Sequence, residues 1–127
     1  MELRKDPITQ SWVILGQRES VAEAPEQCPL EPAKIDKIPA ILTWPASGPW
    51  QVRVIPHPEP LYHVEGDPGR LAEGMYDKMG ALGAHEVVVE TPQHDRRLSQ
   101  LSDEEIERVL WVWASRIADL KKDARFK

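Results

Sequence analysis

Apolar and polar positions along the chain set out a series of short strands and one long helix. In "RKDPITQSWVILGQR" a turn at Asp6-Pro7 precedes the apolar run Trp12, Val13, Ile14 and Leu15, closed by Gly16, which predicts a sheet strand. In "WQVRVIP", Val52 and Val54 point one way and Gln51, Arg53 and Ile55 the other, a second strand ended by a proline-rich exit. "HEVVVE" is a third. Its alternation puts His85, Val87 and Val89 on an apolar face and Glu86, Val88 and Glu90 on a polar one, as in a half-buried antiparallel strand. Thr91-Pro92 stops it. Ser102 followed by Glu105 is a capping-box pattern that starts a helix. Ile106, Val109, Leu110, Trp113, Ile117 and Leu120 then fall on a stripe about 100° wide, with Glu104, Glu107, Arg108, Arg116 and Lys122 largely off it. The spacing predicts a helix from Ser102 to Lys122 packed on the sheet. Trp111 and Val112 lie off the stripe, which leaves two readings: partial cover by neighbouring loops, or contact with a partner subunit or another part of the same fold.

Between the first two strands, Val21 to Pro49 has no sustained period and is expected to be an irregular excursion that something must hold in place. Ten of the 12 prolines crowd into residues 25 to 68 and exclude long helices there. The expected class is α+β: an antiparallel sheet with one long C-terminal helix on one face. A chain of 127 residues fits a single domain with one modest core, hiding roughly 65 to 70% of its unfolded surface.

Composition narrows the partners. With 41% hydrophobic residues, 29% charged residues and a net charge of −5, there is no basic excess to grip nucleic acid or anionic lipid. A local arginine pocket for one phosphate group remains compatible. No apolar run approaches the roughly 18 residues of a membrane span, and the N-terminus lacks the apolar centre of a signal peptide. A cytoplasmic protein is expected. The single cysteine, Cys28, cannot form an internal disulfide; by itself it reads as a small buried hydrophobe.

The order of these blocks carries a resemblance. "RKDPITQSWVILGQR", Cys28-Pro29, "WQVRVIPHPEPL", "GAHEVVVETPQHDRRLSQLSDEEIERVL" and "DARFK" resemble, in that order, the N-terminal half of galactose-1-phosphate uridylyltransferase, of the histidine-triad superfamily. The resemblance implies half of a histidine-triad-like fold. It also implies a nucleotidyltransferase of galactose metabolism that moves a nucleoside monophosphate between a UDP-sugar and a hexose 1-phosphate through a covalent nucleotidyl-histidine. An uncharged imidazole attacks the α-phosphorus while cationic or backbone donors hold the phosphate oxygens. The family's nucleophile lies in a histidine-proline-histidine run. No such run occurs in this chain, which is therefore expected to be a truncated half, a half split between two genes, or a remnant.

The resemblance also implies a zinc site. Cys28 and His94 match two of the family's ligands, but Glu31 stands where a second cysteine is usual, and the fourth ligand belongs to the absent run. Read from the turn alone, His94 is a solvated residue beside Asp95, Arg96 and Arg97. Of the family's two phosphate-binding arginines, Arg18 is kept, while Val21 or Ala22 takes the place of the other. After "VRV", His57, Pro58 and Glu59 replace an asparagine, a polar residue and an aromatic that meet the nucleotide. An imidazole can replace an amide as a hydrogen-bond partner, but a carboxylate loses the stacking surface and repels phosphate. Arg53 is a neighbouring candidate for the nucleotide, or a sheet-face arginine paired to Glu86 or Glu90. His85 is a strand-end histidine or a substrate contact. Two functions follow: an enzyme half needing a separate histidine-bearing half, or a non-catalytic module that folds alone or forms a homodimer through Trp111, Val112 and the uncovered sheet edge.

Overall fold

The strand expected at Trp12–Leu15 is present, together with a neighbour that the apolar pattern hides. In the computed structural model, which describes residues 1–16 and 28–126, the chain divides into two units, one from residues 1–16, 59–85 and 125–126 and the other from 28–58 and 86–124.

In the first unit, β1 (Glu2–Lys5), β2 (Trp12–Leu15), β5 (Leu71–Glu73) and β6 (Tyr76–Gly80) form an antiparallel sheet in the order β2-β1-β6-β5. Leu3, its buried centre, pairs with Ile14 on one side and Met79 on the other. The β1–β2 turn is built by Asp6, whose Oδ1 accepts the backbone N–H groups of Ile8 (2.7 Å) and Thr9 (3.2 Å). Those two donors hold its carboxyl below the usual aspartate range. Gly74, at φ +64°, opens the two-residue turn between β5 and β6, where a side chain would be strained.

In the second unit, β3 (Leu42–Trp44), β4 (Val52–Pro56) and β7 (Glu86–Val89) form an antiparallel sheet in the order β3-β4-β7. A short helix, α1 (Pro32–Ile35), precedes it, and the long helix α2 (Asp103–Leu120) follows. Val52 and Val54 bury against Leu101, Val109 and Val112, with Leu42, Trp44, Val88, Leu98 and Ile106 packed around them. The α+β class stands, with its strands shared between two sheets.

Two expectations about facing need correction. Val88, opposite Val54, packs into the α2 core, and Glu86, on the same side, pairs with Arg116 of α2, so the face read as polar is the one beneath the helix. The helix is also turned. Val109 and Val112 are fully buried, whereas Leu110, Trp113 and Ile117 of the expected stripe are exposed. The cause is Arg116, which shares the 109, 112, 116 face and makes a forked bond to Glu86 at 2.7 and 2.8 Å, each side chain only 13% exposed. Val112 is therefore core and unavailable to a partner.

The excursion between the early strands also contains structure: α1, β3 and an anchor at Asp36, whose carboxylate accepts the Trp50 indole N–H at 2.7 Å. The capping box is as expected. Ser102 Oγ accepts from Glu105 N–H at 3.3 Å, and Ser102 N–H donates to Glu105 Oε2 at 2.8 Å. Arg96 clamps the same carboxylate at 2.9 and 3.0 Å. No helix of the described residues is long and apolar enough to cross a membrane.

The Ser102 N–H, and after it Arg96, hold the Glu105 carboxyl below its ordinary 4.5. A lowered carboxyl stabilises the fold above that ordinary value, and the contribution is lost as pH falls through the lowered one. Thermal melts from pH 7 to 3 should show a falling midpoint whose acid limb flattens in Glu105→Gln. Ser102→Ala should lower the midpoint by roughly 4 °C at pH 7.

Candidate functional site

The residues aligned with a metal site start from a backbone turn. Glu31 N–H donates to the Cys28 carbonyl at 3.4 Å, and Lys34 Nζ donates to the same oxygen at 2.9 Å. Glu31 then sits at the N-cap of α1, whose first residue is Pro32, so its carboxylate stands at the lip of that turn. His94 arrives from the turn after β7, which is shaped by Gln93 N–H donating to Thr91 Oγ1 at 3.2 Å. The His94 Nδ1 lies 2.6 Å from Glu31 Oε1.

The fold thus brings together two of the three expected ligands, distant in sequence. Their geometry is that of an imidazole N–H donating to a carboxylate. Neighbouring donors around a tetrahedral zinc stand about 3.3 Å apart, given bonds near 2.0 Å, so these two would have to separate to admit a metal. Among the described residues no three His, Cys, Asp or Glu side chains converge as a metal-holding group. As placed, the Glu31 and His94 donors stand closer together than neighbouring ligands of a zinc cage.

Arg53 is held from the opposite face of β4. Its Nη2 donates to the Ile38 carbonyl at 2.7 Å and its Nη1 lies 3.9 Å from Asp36 Oδ1. The side chain is 12% exposed, and its buried Nε has no hydrogen-bond partner among the described residues. These contacts stand in place of the expected pairing with Glu86 or Glu90: Glu86 lies on the α2 side of the sheet, opposite to Arg53, and pairs with Arg116. His57 is half-buried, directly after Pro56 ends β4. Arg18 lies outside the described residues, as do Val21 and Ala22. In the other unit, His85 Nδ1 accepts the Leu61 N–H at 3.1 Å, and its ring meets Tyr62 edge-on at 6.5 Å. In this arrangement the His85 ring accepts a backbone hydrogen bond through Nδ1.

A groove of about 450 Å³ lined by Trp44, Glu104, Glu107, Arg108 and Trp111 escaped the sequence reading. The Arg108 guanidinium lies 4.7 Å over the Trp44 ring and donates to Gln51 Oε1 at 2.7 Å. Residues 104, 107, 108 and 111 share a helix face by spacing, but Trp44 comes from β3, a strand that the apolar pattern did not announce. Two carboxylates make the groove unfavourable for a phosphate.

No protein-family model matches the chain. Galactose-1-phosphate uridylyltransferase of Thermotoga maritima is 27% identical over 125 residues, covering 96% of this chain and 37% of that protein. ADP-glucose phosphorylase of Arabidopsis thaliana is 27% identical over 133 residues, covering 91% and 38%. Among solved structures, a uridylyltransferase superposes with TM-score 0.70 at 31% identity over 98% of this chain and 36% of its own. A GalT-like protein from Arabidopsis thaliana superposes with TM-score 0.63 at 27% identity, over 96% and 37%. The chain resembles the N-terminal part of these proteins and spans a little over a third of the length of the curated relatives it matches.

His94 and Glu31 are 44% and 36% exposed, so their pairing is worth little to the fold. His94→Ala and Glu31→Gln should each cost under about 1 kcal/mol in urea unfolding; a larger loss would give the pair a core structural role.

Proposed function

We propose that this chain forms the N-terminal part of a nucleotidyltransferase that exchanges a uridylyl group between a UDP-sugar and a hexose 1-phosphate in the cytoplasm. The observation that carries this reading is the match to a uridylyltransferase structure over 98% of the chain, at 31% identity and TM-score 0.70. In such a transfer, an imidazole nitrogen bonds to the α-phosphorus as the phosphorus–oxygen bond to the hexose 1-phosphate breaks. An incoming sugar phosphate oxygen then reverses the step. None of His57, His63, His85 and His94 lies in a histidine-proline-histidine run, so on this reading the nucleophile comes from another segment or a partner chain.

The role left to these residues is binding. Arg18 and Arg53 supply positive charge for the phosphates, and His57 supplies a hydrogen bond to the nucleotide. For Arg53 this requires release from the Ile38 carbonyl, and the Nε, without a partner among the described residues, is the donor that a ligand would satisfy. Zinc at Cys28, Glu31 and His94 belongs to the same proposal, at the cost of opening the Glu31–His94 pair. Metal content of the purified chain tests it, with one equivalent supporting the site and none removing it. A non-catalytic module is the second reading, favoured by Glu59 at a position where the resemblance expects an aromatic.

Isothermal titration with UDP-glucose decides between the two. The transferase reading expects weak binding that His57→Ala and Arg53→Gln each reduce several-fold, with the far-ultraviolet circular dichroism unchanged. No heat at about 1 mM ligand, a scale of roughly −4 kcal/mol, would favour the non-catalytic module.

A further inference from the structure

Arg53 is an expensive residue for the place it holds. Its side chain is 12% exposed, the Asp36 carboxylate stands off at 3.9 Å, and its Nε has no partner among the described residues. An apolar side chain of similar volume would fill the space without taking a charge out of water. What the guanidinium adds is one directed bond, from Nη2 to the Ile38 carbonyl at 2.7 Å.

That carbonyl ends a hydrogen-bonded segment. Ile38 N–H donates to the Ile35 carbonyl at 2.9 Å, Lys37 N–H to that of Lys34 at 3.2 Å and Asp36 N–H to that of Pro32 at 3.0 Å. Lys34 N–H and Ile35 N–H donate to the Glu31 carbonyl at 2.8 and 3.0 Å. The ladder runs unbroken from Ile38 back to Glu31, so a displacement at one end reaches the other. Its single helical turn, α1, is too short to hold itself in water and depends on anchors. These are the buried Ile35, the Trp50 indole bonded to Asp36, and Arg53 at the Ile38 end. The second arm starts from the same residue. In the β4–β7 ladder Arg53 is the register partner of Val89, the last residue of β7, from which the chain turns through Thr91 to His94. Arg53 thus holds the Glu31 arm by its side chain and faces the root of the His94 arm across the ladder. The two arms close where Glu31 Oε1 meets His94 Nδ1 at 2.6 Å.

We propose that Arg53 is a positioning residue, which acts through Ile38 and α1 to set the Glu31 carboxylate against the His94 imidazole. A guanidinium so engaged is not free for a phosphate, so this role and the phosphate contact of the transferase reading exclude each other at any one time. The proposal needs only the fold of this unit and stands apart from that reading.

Nitrogen-15 NMR of the histidine side chains in the full chain, at one fixed pH, tests it. Glu31→Ala removes the carboxylate and marks where the His94 Nδ1 signal lies once the pair is lost. Arg53→Met should move that signal most of the way to the same position, while His63, in the other unit, keeps its own signal and the far-ultraviolet circular dichroism is unchanged. The bond to Ile38 is single rather than forked, so an ammonium can supply it. Arg53→Lys should therefore restore the wild-type signal, a rescue that packing alone does not predict. Should Arg53→Met not fold, Asp36→Ala, at a side chain 55% exposed, loosens the same end of the segment and should shift the His94 signal in the same direction. A His94 signal that keeps its wild-type position in these variants overturns the proposal, as does one that Glu31→Ala leaves unmoved. Arg53→Lys behaving as Arg53→Met would reduce Arg53 to packing and overturn it as well.

Discussion

The paired bonds between Arg116 and Glu86 determine how the long helix lies. A charge pair this deeply covered is tolerated only when both partners are satisfied, and here the fork of the guanidinium matches the carboxylate at 2.7 and 2.8 Å. The carboxylate holds Arg116 above its ordinary pKa, so the arginine stays charged at any pH the fold survives. With Arg116 fixed over β7, the helix rotation follows: Val109 and Val112 face Val52 and Val54, and Leu110, Trp113 and Ile117 turn outward. One contact therefore accounts for both the core of this unit and the apolar side chains outside it.

The same contact explains where reading the sequence succeeded and failed. The strands at Trp12, Val52 and Glu86, the capping box at Ser102 and the extent of α2 are local features, written in alternation, β-branched runs and a four-residue pattern. The direction of the helix was not local. An apolar period counts arginine as a surface residue, and the partner of Arg116 lies in a strand thirty residues earlier. β1 and β6, "ELRK" and "YDKMG", carry too few apolar residues to announce themselves and form because β1 lies between β2 and β6. Among the site residues, the meeting of Glu31 and His94 was legible only through family resemblance. The commitment of Arg53 to Ile38 depends on a loop whose path the pattern did not define.

What the fold does for the site is to hold side chains in place without completing it. Backbone turns place Glu31 and His94 side by side, and a loop carbonyl restrains Arg53 beneath β4. These are positioning elements, consistent with a chain that covers a little over a third of its relatives and carries no histidine-proline-histidine run. The groove beside Trp44 and Trp111 faces a different chemistry, since its carboxylates repel the phosphates that the transferase reading needs.

The central claim is that the Arg116–Glu86 pair sets the packing of α2, and a double-mutant cycle measures it directly. Unfolding free energies of Glu86→Gln, Arg116→Met and the combined variant should give a coupling of about 2 kcal/mol, in the range found for residues in one buried network. Single changes that add to within about 0.5 kcal/mol would contradict it, and would mean that the valines alone orient the helix.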